Sequence, residues 1–329
     1  MLFITLFIYG LKGRGNVMLA NLLFCLNATV PIFLLMVLGY IFKITHIFDE
    51  GLTKGINSFV FKIALPVLVY QELATSDVEE LWDTGFVVFC FVATLASILI
   101  GFGLSFLFKE KNIRPEFIQG TYRSSAALLG VGIATNLYGS AGMTPLMIIG
   151  AVPLYNVAAV IVLTCGKNQG ALSKAVVKRT LLGVITNPII IGIVLGMIRS
   201  CIPVGILLPK TLGYVSALAT PLGLMALGAS FDFKEAITKL GPTLIATFLK
   251  LIGFSAIWIP IAIALGYTHE KMVAILIMTG SPTTVSSFVM SKSMGYNGTV
   301  SAGIVMLTTI LSAFTLTLWL YILRTMGVI

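Results

Sequence analysis

Three basic residues lie deep inside long apolar stretches of the sequence. Lys62, Arg123 and Lys250 each stand roughly two helical turns from the nearest end of such a stretch, whereas no Asp or Glu lies at a comparable depth, and Glu72 is close to an end. Charged side chains are costly inside a bilayer and usually functional there, although Lys and Arg can extend to the interface. The sign of these charges predicts a site for an anion, with Arg123 as its main cation; Lys62 and Lys250 are compatible with either role.

Two segments rich in glycine, proline and hydroxyl residues are candidates for interrupted helices. Residues 123–139 (RSSAALLGVGIATNLYG) carry Gly130 and Gly132 near the centre, and residues 279–295 (TGSPTTVSSFVMSKSMG) carry Pro282 and a dense run of hydroxyls. Proline removes one helical hydrogen bond and frees carbonyl groups. Two such interruptions would direct the positive ends of helix dipoles into one cavity, which favours an anion. The alternative is that the small residues only allow close helix packing.

Hydroxyl and amide side chains near the two interruptions are the expected hydrogen-bonding groups for a substrate. Asn156 follows the first interruption, and a buried amide in lipid requires a hydrogen-bond partner. The expected substrate-binding residues are Arg123, Ser125, Gly132, Asn156, Pro282, Thr283, Ser286 and Ser287. We expect no catalytic group, metal site or cofactor, because the apolar runs contain no paired Asp, H-E-x-x-H segment or Ser–His pair, and the cysteines lack metal-ligand spacing.

The elements that position these residues follow from the composition. The 329 residues are 58% hydrophobic and only 10% charged, with a mean hydropathy of +1.04, whereas a soluble domain carries about 25% charged residues. This excludes a water-soluble globular enzyme. The apolar runs are continuous, unlike barrel strands, and each approaches the roughly 20 residues that a helix needs to cross a bilayer. We therefore predict an all-α polytopic membrane protein with ten transmembrane helices, spans 1 to 10, at 19–42, 52–73, 84–108, 116–138, 142–165, 181–199, 208–230, 243–266, 271–293 and 298–323.

The positions of Lys and Arg between the spans predict an orientation. One alternating set of loops holds 12 of these residues, and the other set together with the termini holds 6. Because loops rich in Lys and Arg stay in the cytoplasm, both termini are expected on the extracytoplasmic side of the cell inner (plasma) membrane. The same loops account for the net charge of +9, so no nucleic-acid partner is expected.

The two halves of the chain resemble each other. Residues 31–41 (PIFLLMVLGYI) and 188–198 (PIIIGIVLGMI) share 6 identities in 11 positions, including one proline and one glycine. Five spans per half is an odd number, so the halves would enter the bilayer from opposite faces, as in the inverted repeats of secondary transporters. A general bias of membrane helices toward Pro and Gly is the alternative. The expected organisation is an N-terminal extension, a five-helix repeat, a cytoplasmic linker and a second five-helix repeat, at 1–17, 18–165, 166–180 and 181–329.

Six segments in this order and spacing resemble the auxin efflux carrier family, which includes plant PIN-type auxin exporters and bacterial malate or malonate permeases. The resemblance covers about residues 18–325. It rests on LPVLVYQELA (65–74), RSSAALLGVGIATNLYG (123–139), VPLYNVAAVIVL (152–163), NPIIIGIVLG (187–196), TPLGLMALGAS (220–230) and SPTTVSSFVMSKSMG (281–295).

The resemblance implies a five-plus-five inverted repeat in which helices 4 and 9 cross at the substrate site. It also implies a homodimer with an elevator-type mechanism, in which spans 1, 2, 6 and 7 form a scaffold. Ser125 and Gly132 stand where span 4 of the family usually has an Asn and a crossover Pro. In span 9 Pro282 matches the family, whereas Ser287 replaces the later crossover Pro of plant members.

These observations predict a secondary transporter of a small organic anion, a carboxylate such as malate, malonate or an auxin-like acid, by elevator-type alternating access. The expected partners are this anion, the lipid bilayer, a second copy of the chain, and a coupling ion that the sequence leaves open between H⁺ and Na⁺. The alternatives are a sodium-coupled bile-acid or carboxylate-type symporter of the same architecture, and a membrane receptor that binds a ligand without moving it.

Overall fold

The structure of the protein is a computed structural model. It describes residues 33–74, 82–126, 142–167, 185–201 and 209–329, together with residues 23, 26, 30, 31, 133–135, 137–140, 182 and 183. Throughout these residues the regular structure is helical, without strands. This confirms the predicted all-α class.

The described helices follow the predicted spans closely. In the first half they are α1 (Phe33–Ile44), α2 (Glu50–Phe59), α3 (Leu65–Ala74), α4 (Thr84–Ser105), α5 (Arg114–Tyr122) and α6 (Thr144–Lys167). In the second half they are α7 (Pro188–Cys201), α8 (Pro209–Ala217), α9 (Ala219–Ser230), α10 (Phe233–Thr238), α11 (Leu240–Phe248), α12 (Phe254–Ala264), α13 (His269–Gly280), α14 (Ser286–Ser293) and α15 (Thr299–Thr325). One π-helical turn, Val60–Ala64, joins α2 to α3, and another, Leu249–Gly253, joins α11 to α12.

Six stretches of the described residues are long and apolar enough to cross a membrane. They are Glu50–Gln71, Thr84–Ser105, Thr144–Lys167, Lys210–Ser230, Leu240–Ala264 and Thr299–Thr325. Because a helix satisfies its own backbone hydrogen bonds, such stretches are stable in lipid. The chain is therefore a multi-pass helical membrane protein. Spans 1 and 6 correspond to the shorter apolar helices α1 and α7, and the count of ten transmembrane helices stays a prediction.

The helices of spans 4 and 9 stop partway along the predicted runs. Helix α5 ends at Tyr122, where Arg123 takes an extended conformation (φ −69°, ψ 134°), and residues 123–125 are not helical. Helix α13 ends at Gly280, and α14 begins at Ser286 after the non-helical residues 281–284. In span 4 helix α5 thus ends at Tyr122, eight residues before Gly130, and both glycines of the expected interruption lie outside the described residues.

Loops that the charge pattern assigned to the same face contact each other. Lys239, between spans 7 and 8, forms an ion pair with Glu110, between spans 3 and 4. Lys271, near the start of α13, pairs with Asp83, which caps α4 by accepting a hydrogen bond from the backbone N–H of Phe86. The hydrogen bond from Lys271 lowers the pKa of Asp83 below its ordinary value. Both contacts agree with the predicted alternation of the loops, while the orientation in the membrane stays a prediction.

Spans 1 and 7 pack backbone against backbone through glycines. A Cβ atom on Gly228 of α9 would overlap the carbonyl oxygen of Met36, and one on Gly39 of α1 would overlap the carbonyl oxygen of Met225. Each helix therefore carries a glycine where the other helix approaches. Neither helix can accept a side chain at this contact without moving away from its neighbour.

We expect Gly228→Ala to destabilise the protein by about 1–3 kcal/mol, because the added methyl group forces α1 and α9 apart. Thermal unfolding of the purified protein in detergent measures this effect. Gly103→Ala is the matched control: Gly103 is also helical, but nothing lies within 4 Å of the added Cβ, so its melting temperature should be unchanged or higher. Equal melting of the two variants would contradict the packing described.

Candidate functional site

The non-helical segments of spans 4 and 9 are hydrogen-bonded to each other. The backbone N–H of Ser125 donates to the carbonyl oxygen of Pro282 across 2.9 Å. The hydroxyl of Thr283 donates to the carbonyl oxygen of Gly120 at the end of α5 (2.7 Å), and the backbone N–H of Thr283 donates to the hydroxyl of Thr308 (3.1 Å). Backbone groups that lack a helical partner are thus paired inside the bundle. We call this contact between residues 123–125 and 281–285 the crossing.

Arg123 places its guanidinium at the crossing, where only 2% of the residue is exposed. Its Nη2 donates to Asn156 Oδ1 (2.8 Å) and to Ser286 Oγ (2.6 Å), and its Nη1 lies 2.9 Å from Met290 Sδ. The amide nitrogen of Asn156 is held by the carbonyl oxygen of Val152, which turns Oδ1 toward the guanidinium. Nε of Arg123 is buried without an acceptor, and no carboxylate of the described residues forms an ion pair with it. A buried positive charge therefore lacks a negative partner in this part of the chain.

A cavity of about 70 Å³ lies beside this guanidinium. One wall is formed by the crossing and by α6, with Arg123 and Asn156 among its polar groups. Leu65, Leu68 and Val69 of α3 add apolar side chains to the lining, and Thr220 of α9 adds a hydroxyl. The polar groups can hold a charged ligand, and the apolar side chains of α3 can exclude water.

The cavity brings together four of the predicted binding residues, namely Arg123, Ser125, Asn156 and Ser286. Pro282 lies at the crossing and contributes its carbonyl oxygen to Ser125. The hydroxyls of Thr283 and Ser287 have other partners, since Ser287 Oγ donates to the carbonyl oxygen of Thr284 (2.9 Å) and Thr283 bonds across the crossing. Gly132 lies outside the described residues. A direct role in binding stays a prediction for all eight residues.

Thr220, Thr284, Ser124 and Tyr155 also line the cavity. Thr284 belongs to the run of hydroxyls noted in residues 279–295, whereas the other three were not among the expected ones. All four lie in segments that carry the family resemblance, and Ser124, Thr284 and Tyr155 each stand next to a predicted site residue. A position next to a predicted site residue was therefore a usable signal, but it does not indicate whether the side chain faces the cavity.

Lys250 contacts the crossing through Ser124 but does not line the cavity. It is 0% exposed, on the π-helical turn between α11 and α12. Its ammonium group donates to the hydroxyl of Ser124 and to the carbonyl oxygens of Met278 and Thr279, both at 3.1 Å. Lys62, on the other π-helical turn, is exposed. The two lysines that sequence patterns could not separate therefore have opposite surroundings.

A family model described as "Membrane transport protein" matches residues 24–320. An uncharacterized transporter of Methanothermobacter thermautotrophicus is 21% identical over 305 residues, which cover 90% of this chain and 98% of that protein. A protein of Rhizobium meliloti named "Putative malonate transporter" is 23% identical over 320 residues, 90% of this chain and 94% of its own length. An uncharacterized transporter of Methanocaldococcus jannaschii is 22% identical over 310 residues, with 91% and 98% covered.

Proposed function

Because this chain belongs to the membrane transport protein family that includes the auxin efflux carriers, we propose that it is a secondary transporter of a small organic anion. The observation that carries the proposal is Arg123, a buried guanidinium at the crossing without a carboxylate partner among the described residues. A cation in a low-dielectric site favours an anionic ligand that can replace the lost hydration. The guanidinium also matches a carboxylate in shape, since its donors form a planar fork.

The size of the cavity favours a short carboxylate. A volume of about 70 Å³ holds a few water molecules, each of which occupies about 30 Å³ in the liquid. This space is small for an auxin-like aromatic acid, so the proposal favours a short carboxylate such as malonate or malate. The relative named as a malonate transporter agrees with this choice.

The five-plus-five inverted repeat belongs to the same proposal and is supported by how the helices pair. Span 1 packs on span 7 through Gly39 and Gly228, and span 6 packs on span 2, where a Cβ atom on Gly192 would overlap the carbonyl oxygen of Pro66. Each first helix of a half thus packs on the second helix of the other half, which is the exchange that an inverted repeat requires. The helical ends at Tyr122 and Gly280, in spans 4 and 9, are a further pair of matching features.

The position of the cavity supports alternating access of the elevator type. Its lining residues from α3 and α9 belong to spans 2 and 7, which the resemblance assigns to the scaffold, and most of its polar groups come from spans 4, 5 and 9. We call the second set the polar wall. In the proposed mechanism the polar wall moves along the scaffold with the anion. The anion is bound by Arg123, Ser125, Asn156 and Ser286, and the N-terminal end of α14 adds its positive dipole. Pro282, Thr283 and Ser287 hold the crossing together, and the homodimer is part of the proposal.

Uptake of labelled malonate into liposomes that contain the purified protein tests the proposed function. We expect saturable uptake that malate inhibits and that malonamide, an uncharged analogue of similar shape, leaves unchanged, because only the carboxylates complement Arg123. Thermal shifts measured with the same compounds report binding separately. Binding of malonate without uptake would indicate a receptor, and the absence of both responses for all small carboxylates tested would refute the proposal.

A further inference from the structure

Two backbone carbonyl groups at the end of α13 have lost their helical partners. The carbonyl of Met278 would accept a hydrogen bond from the residue four positions on, but that residue is Pro282, which has no N–H. The corresponding partner of Thr279 is Thr283, whose N–H donates to Thr308 instead. Both oxygens therefore lie free at the C-terminal end of a helix, where the helix dipole is negative.

The ammonium group of Lys250 lies among these oxygens. It has three hydrogens to donate, and it has three acceptors: the two carbonyl oxygens of Met278 and Thr279 and the hydroxyl of Ser124. The hydroxyl of Ser124 donates in turn to the carbonyl of Met278, and the hydroxyl of Tyr155 donates to the same oxygen across 3.3 Å. Oxygen atoms thus surround the nitrogen in the manner of a coordinated cation.

The other groups around Lys250 carry no compensating charge. The small space beside it is lined by Thr94, Ser97, Tyr122, Tyr155, Phe254, Met278 and Thr279. Tyr122 and Tyr155 are the titratable members of this set, and no carboxylate of the described residues forms an ion pair with the lysine. The positive charge is therefore stabilised by neutral oxygens and by the helix end, which are the groups that hold Na⁺ at interrupted helices of secondary transporters.

We propose that the carbonyl oxygens of Met278 and Thr279 and the hydroxyl of Ser124 form a site for one monovalent cation, and that the protein fills this site with its own Lys250 ammonium. The crossing then needs no sodium ion to coordinate the freed carbonyl oxygens. The inference deepens the proposed function, on which it rests, by assigning a transport cycle that is independent of Na⁺. Pro282 creates both the interruption and one of the free carbonyls, so the cation site is part of the interruption in span 9.

Replacement of Lys250 by alanine opens the site to cations from solution. We expect Lys250→Ala to melt at a lower temperature than the wild type in N-methylglucamine chloride and to recover roughly 3–6 °C in sodium or ethylammonium chloride, because these cations can occupy the vacated oxygens. Wild type and Lys62→Ala should melt at the same temperature in all three salts. Lys62 is a suitable control because it lies on the other π-helical turn and is exposed.

Lys250→Met distinguishes a specific site from a general salt effect. The methionine side chain fills the space without charge, so its melting temperature should not depend on the cation. A response of Lys250→Met equal to that of Lys250→Ala, no response of Lys250→Ala, or stabilisation of the wild type by Na⁺ would each overturn the proposal. If Lys250→Ala cannot be purified, dependence of wild-type malonate uptake on Na⁺ overturns it and independence supports it. The melting experiments contain no organic anion, so their failure is separate from failure of the proposed function.

Discussion

Arg123→Ala is expected to weaken malonate binding by about 2–4 kcal/mol, roughly 30- to 1000-fold in the dissociation constant. The reason is that Arg123 supplies the cation at the cavity and only 2% of the residue is exposed. Screening of its charge by water is therefore weak. Titration calorimetry or thermal shifts with increasing malonate measure the affinity, and liposome uptake should fall in parallel.

Two further variants separate lost binding from lost folding. Arg123 also holds Asn156 and Ser286, so its removal leaves their oxygens without a donor. Arg123→Lys retains the charge but not the planar fork, and we expect an intermediate loss of about tenfold. Ser286→Ala retains the guanidinium and removes one of its partners. If Arg123→Ala melts like the wild type and binds malonate with unchanged affinity, the anion site is elsewhere.

Glu116→Ala is expected to destabilise the protein by about 3–5 kcal/mol, the largest stability effect that we predict. The carboxylate of Glu116 is buried in α5 and accepts hydrogen bonds from Gly298 N–H (3.0 Å), Ser301 N–H (2.9 Å) and Ser301 Oγ (3.0 Å). These donors belong to the first turn of α15, whose N-cap residue, Gly298, has no side chain to serve them. Alanine would leave the two backbone N–H groups buried without an acceptor, while the hydroxyl of Ser301 would retain only its contact with Ser291 Oγ (2.9 Å).

Thermal unfolding compares Glu116→Ala with Glu116→Gln and Glu50→Ala. The glutamine retains one acceptor oxygen, so its loss of stability should be about half. Glu50 is 93% exposed and pairs only with Lys54 in its own helix, and its removal should change stability by less than about 0.5 kcal/mol. A melting temperature of Glu116→Ala equal to that of Glu50→Ala would show that α15 does not depend on this cap.

Parts of the fold and site could be read directly from residue types. Continuous apolar runs identify a helical membrane protein because only a helix satisfies its backbone within one segment of lipid-exposed chain. Helix α7 starts at Pro188, directly after Asn187, whose side chain accepts from the N–H of Ile189. Pro282, which lacks an N–H, accounts for the end of α13 two residues earlier. In each case a local covalent property determines the outcome.

Other features depend on contacts between distant residues and were visible only in the tertiary structure. The non-helical conformation of 123–125 lacks a proline and is held by the hydrogen bond between Ser125 and Pro282, 157 positions apart. Thr283, Ser286 and Ser287 all carry a hydroxyl, yet of these three only Ser286 lines the cavity. The other two hydroxyls donate to backbone carbonyl oxygens, which the sequence does not reveal.

The sequence by itself therefore determined the helical class and the family, since these follow from apolar length and segment order, and it identified the charged residues that lie deep in apolar runs. The tertiary structure decided which polar residues share a cavity. It also decided that Lys250 is buried and Lys62 is exposed, although both lie deep in apolar runs of the sequence. Lys62 and Lys250 differ little in local sequence. Only Lys250 meets oxygen atoms freed from another helix, and a charge can remain in the interior only where such partners surround it.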